Sequence, residues 1–87
     1  MAKTVLKFSA TWCGPCKAYA PIFSKVREEL QDSIEFQEID IDQDPERLTT
    51  KYGVTAVPTT IVLEKGKDLR DVKGALSEDQ LKQFILK

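Results

Sequence analysis

Cys16, Tyr19, Phe23, Val26 and Leu30 lie at i, i+3, i+7, i+10 and i+14, one continuous helical stripe that must rest on a core. Just before it stands Val5-Leu6-Lys7-Phe8, a short β-type run, with Ser9-Ala10-Thr11-Trp12 following as a loop. A strand that feeds directly into an amphipathic helix restricts the chain to folds in which helices cover a sheet.

The remaining pattern extends that reading. The first helix starts near Gly14-Pro15 and ends at Gln31-Asp32-Ser33, with Pro21 inside it. Pro21 removes the bond to the carbonyl of Lys17 and predicts a kink. Residues 34–41 read as a second strand, and Glu35, Gln37 and Glu38 suit an edge position. Asp44 as N-cap, Pro45 at the first helical position and Gly53 as C-terminal cap predict a short second helix. Pro58 opens the run Thr59-Thr60-Ile61-Val62-Leu63, and residues 64–67 make a turn into a strand over 68–72, an antiparallel hairpin. Ser77 and Gln80 form a capping box for a last helix, with Leu76 and Leu81 as its hydrophobic staple. Leu81, Phe84 and Ile85 make the buried face of that helix. The order β-α-β-α-β-β-α predicts an α/β fold with a mixed four-stranded sheet and three flanking helices.

With 87 residues the chain makes a single domain, residues 1–87, because a second core needs roughly 100 residues of its own. Thirteen basic and fourteen acidic residues give a net charge of -1, which offers no electrostatic reason to expect nucleic acid or a membrane surface as partner. The chain has no histidine, so histidine bases, serine triads and histidine metal sites are excluded. Its two cysteines are too close in sequence to staple distant segments. The start, Met1-Ala2-Lys3-Thr4, carries no secretory signature, and no apolar run reaches membrane-spanning length. The expected compartment is the reducing cytoplasm.

Chemistry concentrates in Cys13-Gly14-Pro15-Cys16. This spacing at a helix start brings two sulfurs within reach of a small reversible disulfide ring. Cys13 falls at the helix N-terminus, where unpaired amides and the dipole stabilise a thiolate. Cys16 falls one turn inside, on the apolar stripe, and is expected to be shielded. Pro15 pre-sets the backbone without costing a hydrogen bond. An exposed reactive sulfur beside a buried partner is what dithiol exchange requires. The bland readings are an inert pair or half a metal site. Cys13 lies in a loop beside Trp12 rather than on an apolar face, and two thiols without histidine leave a four-ligand zinc site incomplete.

The run from Phe8 through Cys13-Gly14-Pro15-Cys16 to Lys17, with Pro21 following, resembles the active-site segment of the thioredoxin family. Ile39-Asp40-Ile41-Asp42-Gln43-Asp44-Pro45, Lys51-Tyr52-Gly53-Val54, Ala56-Val57-Pro58-Thr59 and Val72-Lys73-Gly74-Ala75-Leu76 are similar to that family as well, covering nearly the whole chain from Val5. The resemblance implies a thioredoxin-like fold and a protein-disulfide reductase, with Cys13 as nucleophile and Cys16 as resolving thiol. It implies a cis bond before Pro58, and a flat, largely apolar substrate surface formed by Trp12, Gly14, Pro15, Val57, Pro58 and Gly74. It further implies no bound cofactor or metal, electrons supplied by NADPH through a flavin-dependent thioredoxin reductase, disulfide-containing protein substrates, and a cytoplasmic monomer. Left to themselves, Trp12 reads as loop packing and Gly74 as a turn.

Three positions depart from the family. Its usual strand and helix before Val5 are missing, so the chain resembles a short form. Ser9 stands where such proteins often carry a second tryptophan. Lys7 and Glu38 stand where the family usually has a buried aspartate and its lysine partner, so the pair is expected with its charges exchanged; the alternative is that Lys7 snorkels to solvent. Two other functions compete: a glutathione-dependent, glutaredoxin-like enzyme, and a binding subunit of a larger enzyme. Gly14-Pro15 between the cysteines argues against the first, and intact cysteines beside Trp12 argue against the second. A disulfide oxidant is disfavoured because neither intervening residue is histidine.

Overall fold

The computed structural model describes residues 3–64 and 68–87. Strand β1, Lys3–Ser9, runs through the middle of the sheet, and Val5, Leu6, Lys7 and Phe8 are therefore buried on both of its faces. It pairs in parallel with β2, Glu35–Asp40, and antiparallel with β3, Thr59–Glu64, which in turn pairs antiparallel with β4, Asp68–Lys73. The strand order is β2-β1-β3-β4, so β2 lies at an edge among the described residues, as its polar composition predicts. Helix α1, Gly14–Leu30, and helix α3, Glu78–Leu86, pack together on one face. The short α2, Leu48–Lys51, and the segment around it pack against the other.

The apolar stripe of α1 does what its spacing requires: Cys16, Tyr19, Phe23 and Val26 are buried. Tyr19, Phe23 and Val26 meet Val5 and Val62 from the sheet and Leu81 and Ile85 from α3. On the opposite face, Leu6, Phe8, Ile39 and Ile61 pack with Leu48, Tyr52 and Val54. The buried Tyr19 hydroxyl shares a 2.7 Å hydrogen bond with Thr60 Oγ1, which satisfies both groups. Burial pushes the phenol up from its ordinary range, partly opposed by that bond. Ser77 caps α3 in a reciprocal capping box with Gln80, and Leu76 and Leu81 join the same core cluster.

Several boundaries differ from expectation. β1 reaches from Lys3 to Ser9, because pairing on both sides extends it past the aliphatic run and takes Ser9 from the loop. β2 is one residue shorter at each end than 34–41. Pro21 lies inside α1, where the sequence placed it. Of the expected turn over 64–67, Glu64 belongs to β3 and the rest lies outside the described residues.

The second helix starts later than the Asp44-Pro45 signal implies. Pro45 lies in a turn, and the N-cap position is Arg47, whose left-handed backbone, φ 55°, interrupts the helical path. Asp44 still caps from a distance: its carboxylate accepts from the Leu48 and Thr49 amides at 3.0 and 2.7 Å and from the Thr49 hydroxyl at 2.6 Å. Gly53 follows α2 with φ 65°, the left-handed position that ends a helix most cheaply as glycine.

These bonds hold the Asp44 carboxyl below its ordinary value, the Thr49 hydroxyl bond contributing most. A folded value below the unfolded one makes this contribution present above the unfolded value and lost as pH falls through the folded one. Acidification is therefore expected to release the Leu48 and Thr49 amides, read as faster hydrogen exchange there than in α1. Equal protection of these amides in Asp44→Asn and the parent would remove the carboxylate from this account.

Candidate active site

Cys13 is the N-cap residue of α1, with extended backbone at φ -91°, ψ 112°. An N-cap side chain is placed to accept from the first unpaired amides of a helix, and here the acceptor is sulfur. Cys13 Sγ receives the Cys16 amide at 3.2 Å, and Pro15 occupies the first turn without sacrificing a donor. The two cysteines are joined as a disulfide with their Cα atoms 5.2 Å apart, within the usual span for such a bond.

The expectation of an exposed Cys13 is corrected by this structure. Cys13 is 5% exposed and Cys16 4%, because both lie against Ala10, with Ile41 and Val57 packed over them. Bonding to Cys16 holds the first sulfur against its partner and these two apolar side chains. What the site shows to solvent is its rim: Trp12, at 66% exposure, with Gly14 and Pro15.

Distant segments complete that rim. The Val57–Pro58 peptide is cis, Pro58 is fully buried, and the Val57 carbonyl oxygen lies 3.7 Å from Cys13 Sγ. A sulfur in a disulfide has no proton to donate, so this is a contact that only a reduced thiol could turn into a hydrogen bond. Gly74, at φ 94°, donates its amide to the Pro58 carbonyl at 2.8 Å. Open space surrounds the position of a Cβ there, so the backbone angle rather than crowding favours glycine. Trp12, Ile41, Val54, Ala56 and Val57 line a groove of about 330 Å³. Trp12, Gly14 and Pro15 thus adjoin the cysteines along the chain and Val57 packs against them, whereas Pro58 is buried behind Val57 rather than on the expected surface, and Gly74 joins only through its bond to the Pro58 carbonyl.

Two contributors gain a role only in the structure. Asp42 Oδ2 accepts the Trp12 indole N–H at 2.8 Å, and the Asp42 amide donates to Asp40 Oδ1 at 2.9 Å, so the tryptophan is held from the end of β2. Arg27 donates to Glu38 Oε2 at 2.9 Å.

Lys7 does not snorkel. It is 3% exposed, and its Nζ lies 3.0 Å from Glu38 Oε1, the residue it faces across the β1–β2 register. The ammonium also stands 5.0 Å above the Phe23 ring centre, a favourable cation–π position. Among the described residues no group of three His, Cys, Asp or Glu side chains is placed to hold a metal, and no helix is long and apolar enough to cross a membrane.

The sequence matches the Thioredoxin family over residues 1–87. It is 35% identical over 80 residues to a thioredoxin of Bacillus subtilis, which covers 92% of this chain and 76% of that protein. It is 41% identical over 81 residues to the chloroplastic Thioredoxin Y2 of Arabidopsis thaliana, covering 93% of this chain and 48% of that one. The chain therefore spans about three quarters of the bacterial relative and about half of the chloroplastic one. The X-ray structure of Fasciola hepatica thioredoxin superposes with a TM-score of 0.87 at 36% identity, over 98% of this chain and 79% of that one.

Proposed function

Given that the chain belongs to the thioredoxin family and is a thiol–disulfide oxidoreductase, we propose that it reduces disulfides of other proteins through Cys13 and Cys16. The observation that carries this reading is the Cys13–Cys16 disulfide at the start of α1, with the Val57 carbonyl beside Cys13 and an exposed Trp12 at its rim. In the reduced protein the Cys13 thiolate is stabilised by the helix N-terminus and by the Cys16 amide. It attacks one sulfur of the substrate disulfide; a Cys13–substrate bond forms, and the other substrate sulfur leaves as a thiolate and takes a proton. Cys16 then attacks Cys13, the Cys13–Cys16 disulfide forms, and the second substrate thiol departs. Two electrons pass from the dithiol to the substrate.

An extended substrate segment suits the groove between Trp12 and Val57, where backbone groups next to Pro58 can meet it as a strand edge would. Gly14, Pro15 and Gly74 complete the apolar rim. The disulfide is returned to the dithiol by a flavin-dependent thioredoxin reductase that draws on NADPH, so no cofactor binds here. The working form is a monomer of the cytoplasm, a reducing compartment that the exchange cycle needs.

Turnover of a disulfide-containing protein such as insulin separates the electron sources. NADPH with a thioredoxin reductase is expected to sustain reduction, whereas glutathione alone supports at most a small fraction of that rate. Equal or faster turnover with glutathione would replace this reading with a glutaredoxin-like one.

A further inference from the structure

Among the described residues, Lys7 is the charged side chain that lies buried, in company with the polar Thr59 and Thr60. Burying an ammonium is costly unless it is paired, and the exchange cycle written above makes no use of it. Its surroundings tie it to the dithiol. Lys7 and Cys16 line the same open depression of about 240 Å³, whose walls also include Ala20 and, as charged groups, Lys17, Glu38 and Asp40. A space of that size has room for several waters at about 30 Å³ each.

The charged groups lining this depression are two of each sign, Lys7 and Lys17 against Glu38 and Asp40, but they are not evenly paired. Glu38 is shared: Oε1 meets Lys7 at 3.0 Å and Oε2 meets Arg27 at 2.9 Å, one carboxylate between two cations. Lys17 and Asp40 add one charge of each sign at the rim. Because Glu38 is divided between Lys7 and Arg27, its charge does not wholly offset the Lys7 ammonium, and the cation nearest the interior is Lys7.

We propose that Lys7 is a positioning residue for the second half of the cycle: its buried ammonium favours the thiolate that Cys16 must become before it can resolve the mixed disulfide. The inference rests on the reading of Cys16 as the resolving sulfur. In that step the Cys16 thiol loses its proton to solvent in the depression. The thiolate attacks Cys13, a Cys13–Cys16 bond forms as the Cys13–substrate bond breaks, and the electron pair leaves on the substrate sulfur, which is then protonated. Glu38 is not the acceptor in this account, because both its oxygens are already engaged by cations. Its part is to hold the ammonium in place.

The two steps can be read separately by mixing reduced protein with dithiobis(nitrobenzoate), which releases one thionitrobenzoate on attack and a second on resolution. Lys7→Met is expected to slow the second release about threefold to tenfold near neutral pH, as the loss of one partly shielded charge lining the same depression implies. The deficit closes in alkaline solution, where Cys16 ionises unaided, and the first release is little changed. Lys7→Arg, which keeps the charge, restores most of the rate. A purely structural role predicts the same deficit at every pH, and that result overturns the proposal. So does an unchanged second release, or a loss in Glu38→Gln larger than that in Lys7→Met, which would make the carboxylate the proton acceptor. Lys7→Gln serves if Lys7→Met does not fold by circular dichroism. Should the parent protein show no stepwise release, the assignment of Cys13 and Cys16 fails instead of the role of Lys7.

Discussion

Cys13→Ser is expected to reduce no protein disulfide above the uncatalysed background, and Cys16→Ser to form a stable mixed disulfide with its substrate and stop there. The asymmetry follows from position. Cys13 is the N-cap of α1, its sulfur accepts the Cys16 amide, and it lies beside the Val57 carbonyl. A serine hydroxyl at that point is hardly ionised at neutral pH and cannot replace a thiolate as nucleophile. Cys16 stands one turn further along α1, on the same stripe as Tyr19 and Phe23, away from the Val57 carbonyl and with Cys13 within bonding distance. Removing Cys16 therefore spares attack and abolishes resolution. Non-reducing electrophoresis followed by peptide mapping reads the result. A trapped partner on Cys16 of the Cys13→Ser protein, with none on Cys13 of the Cys16→Ser protein, would reverse the two roles.

The largest effect on stability is expected at Phe23. Its ring is fully buried, packs edge-on against Phe36 with centroids 5.7 Å apart, tilts against Tyr19 at 6.1 Å and lies under the Lys7 ammonium. Phe23→Ala opens a cavity between α1 and the sheet and costs about 3–5 kcal/mol. A domain of this length holds roughly 4–13 kcal/mol in total, so the variant retains little reserve. The same change also withdraws the aromatic face from a buried cation, which adds to the loss. Urea unfolding followed by circular dichroism should show a midpoint far below that of the parent. A loss below about 1 kcal/mol would mean that the helices close over the gap.

What could be read in the sequence was local. The stripe from Cys16 to Val26 specifies the length of α1 and the face it buries, since helical period and core position are the same information. Ser77 and Gln80 announce α3 because their mutual bonds, 3.2 and 3.0 Å, close within one turn. The four edge-to-edge strands follow from β-type runs and connection lengths. The cis bond before Pro58 and the roles around the disulfide came from family resemblance, not from composition or spacing.

What escaped the sequence was non-local or unusual for its residue type. Arg47 has a left-handed backbone without being glycine or asparagine, so nothing at that position foretold the late start of α2. The burial of Cys13 is produced by Ile41 and Val57, which arrive from the far side of the sheet, and no pattern around residue 13 contains them. Asp42 reaches Trp12 across thirty residues, and Arg27 reaches Glu38 from helix to strand.

The edge position of β2 has a mechanical consequence. This strand is paired on one side only among the described residues, to β1, and an edge paired on one side opens more easily than an interior strand. Yet Glu38, which steadies Lys7, and Asp40, which steadies the loop gripping Trp12, both hang from it. The groove wall and the charge behind the resolving sulfur are thus suspended from an outer beam of the sheet. Bending that beam would shift both at once, so a change in how firmly β2 is seated becomes a single dial on substrate grip and on resolution.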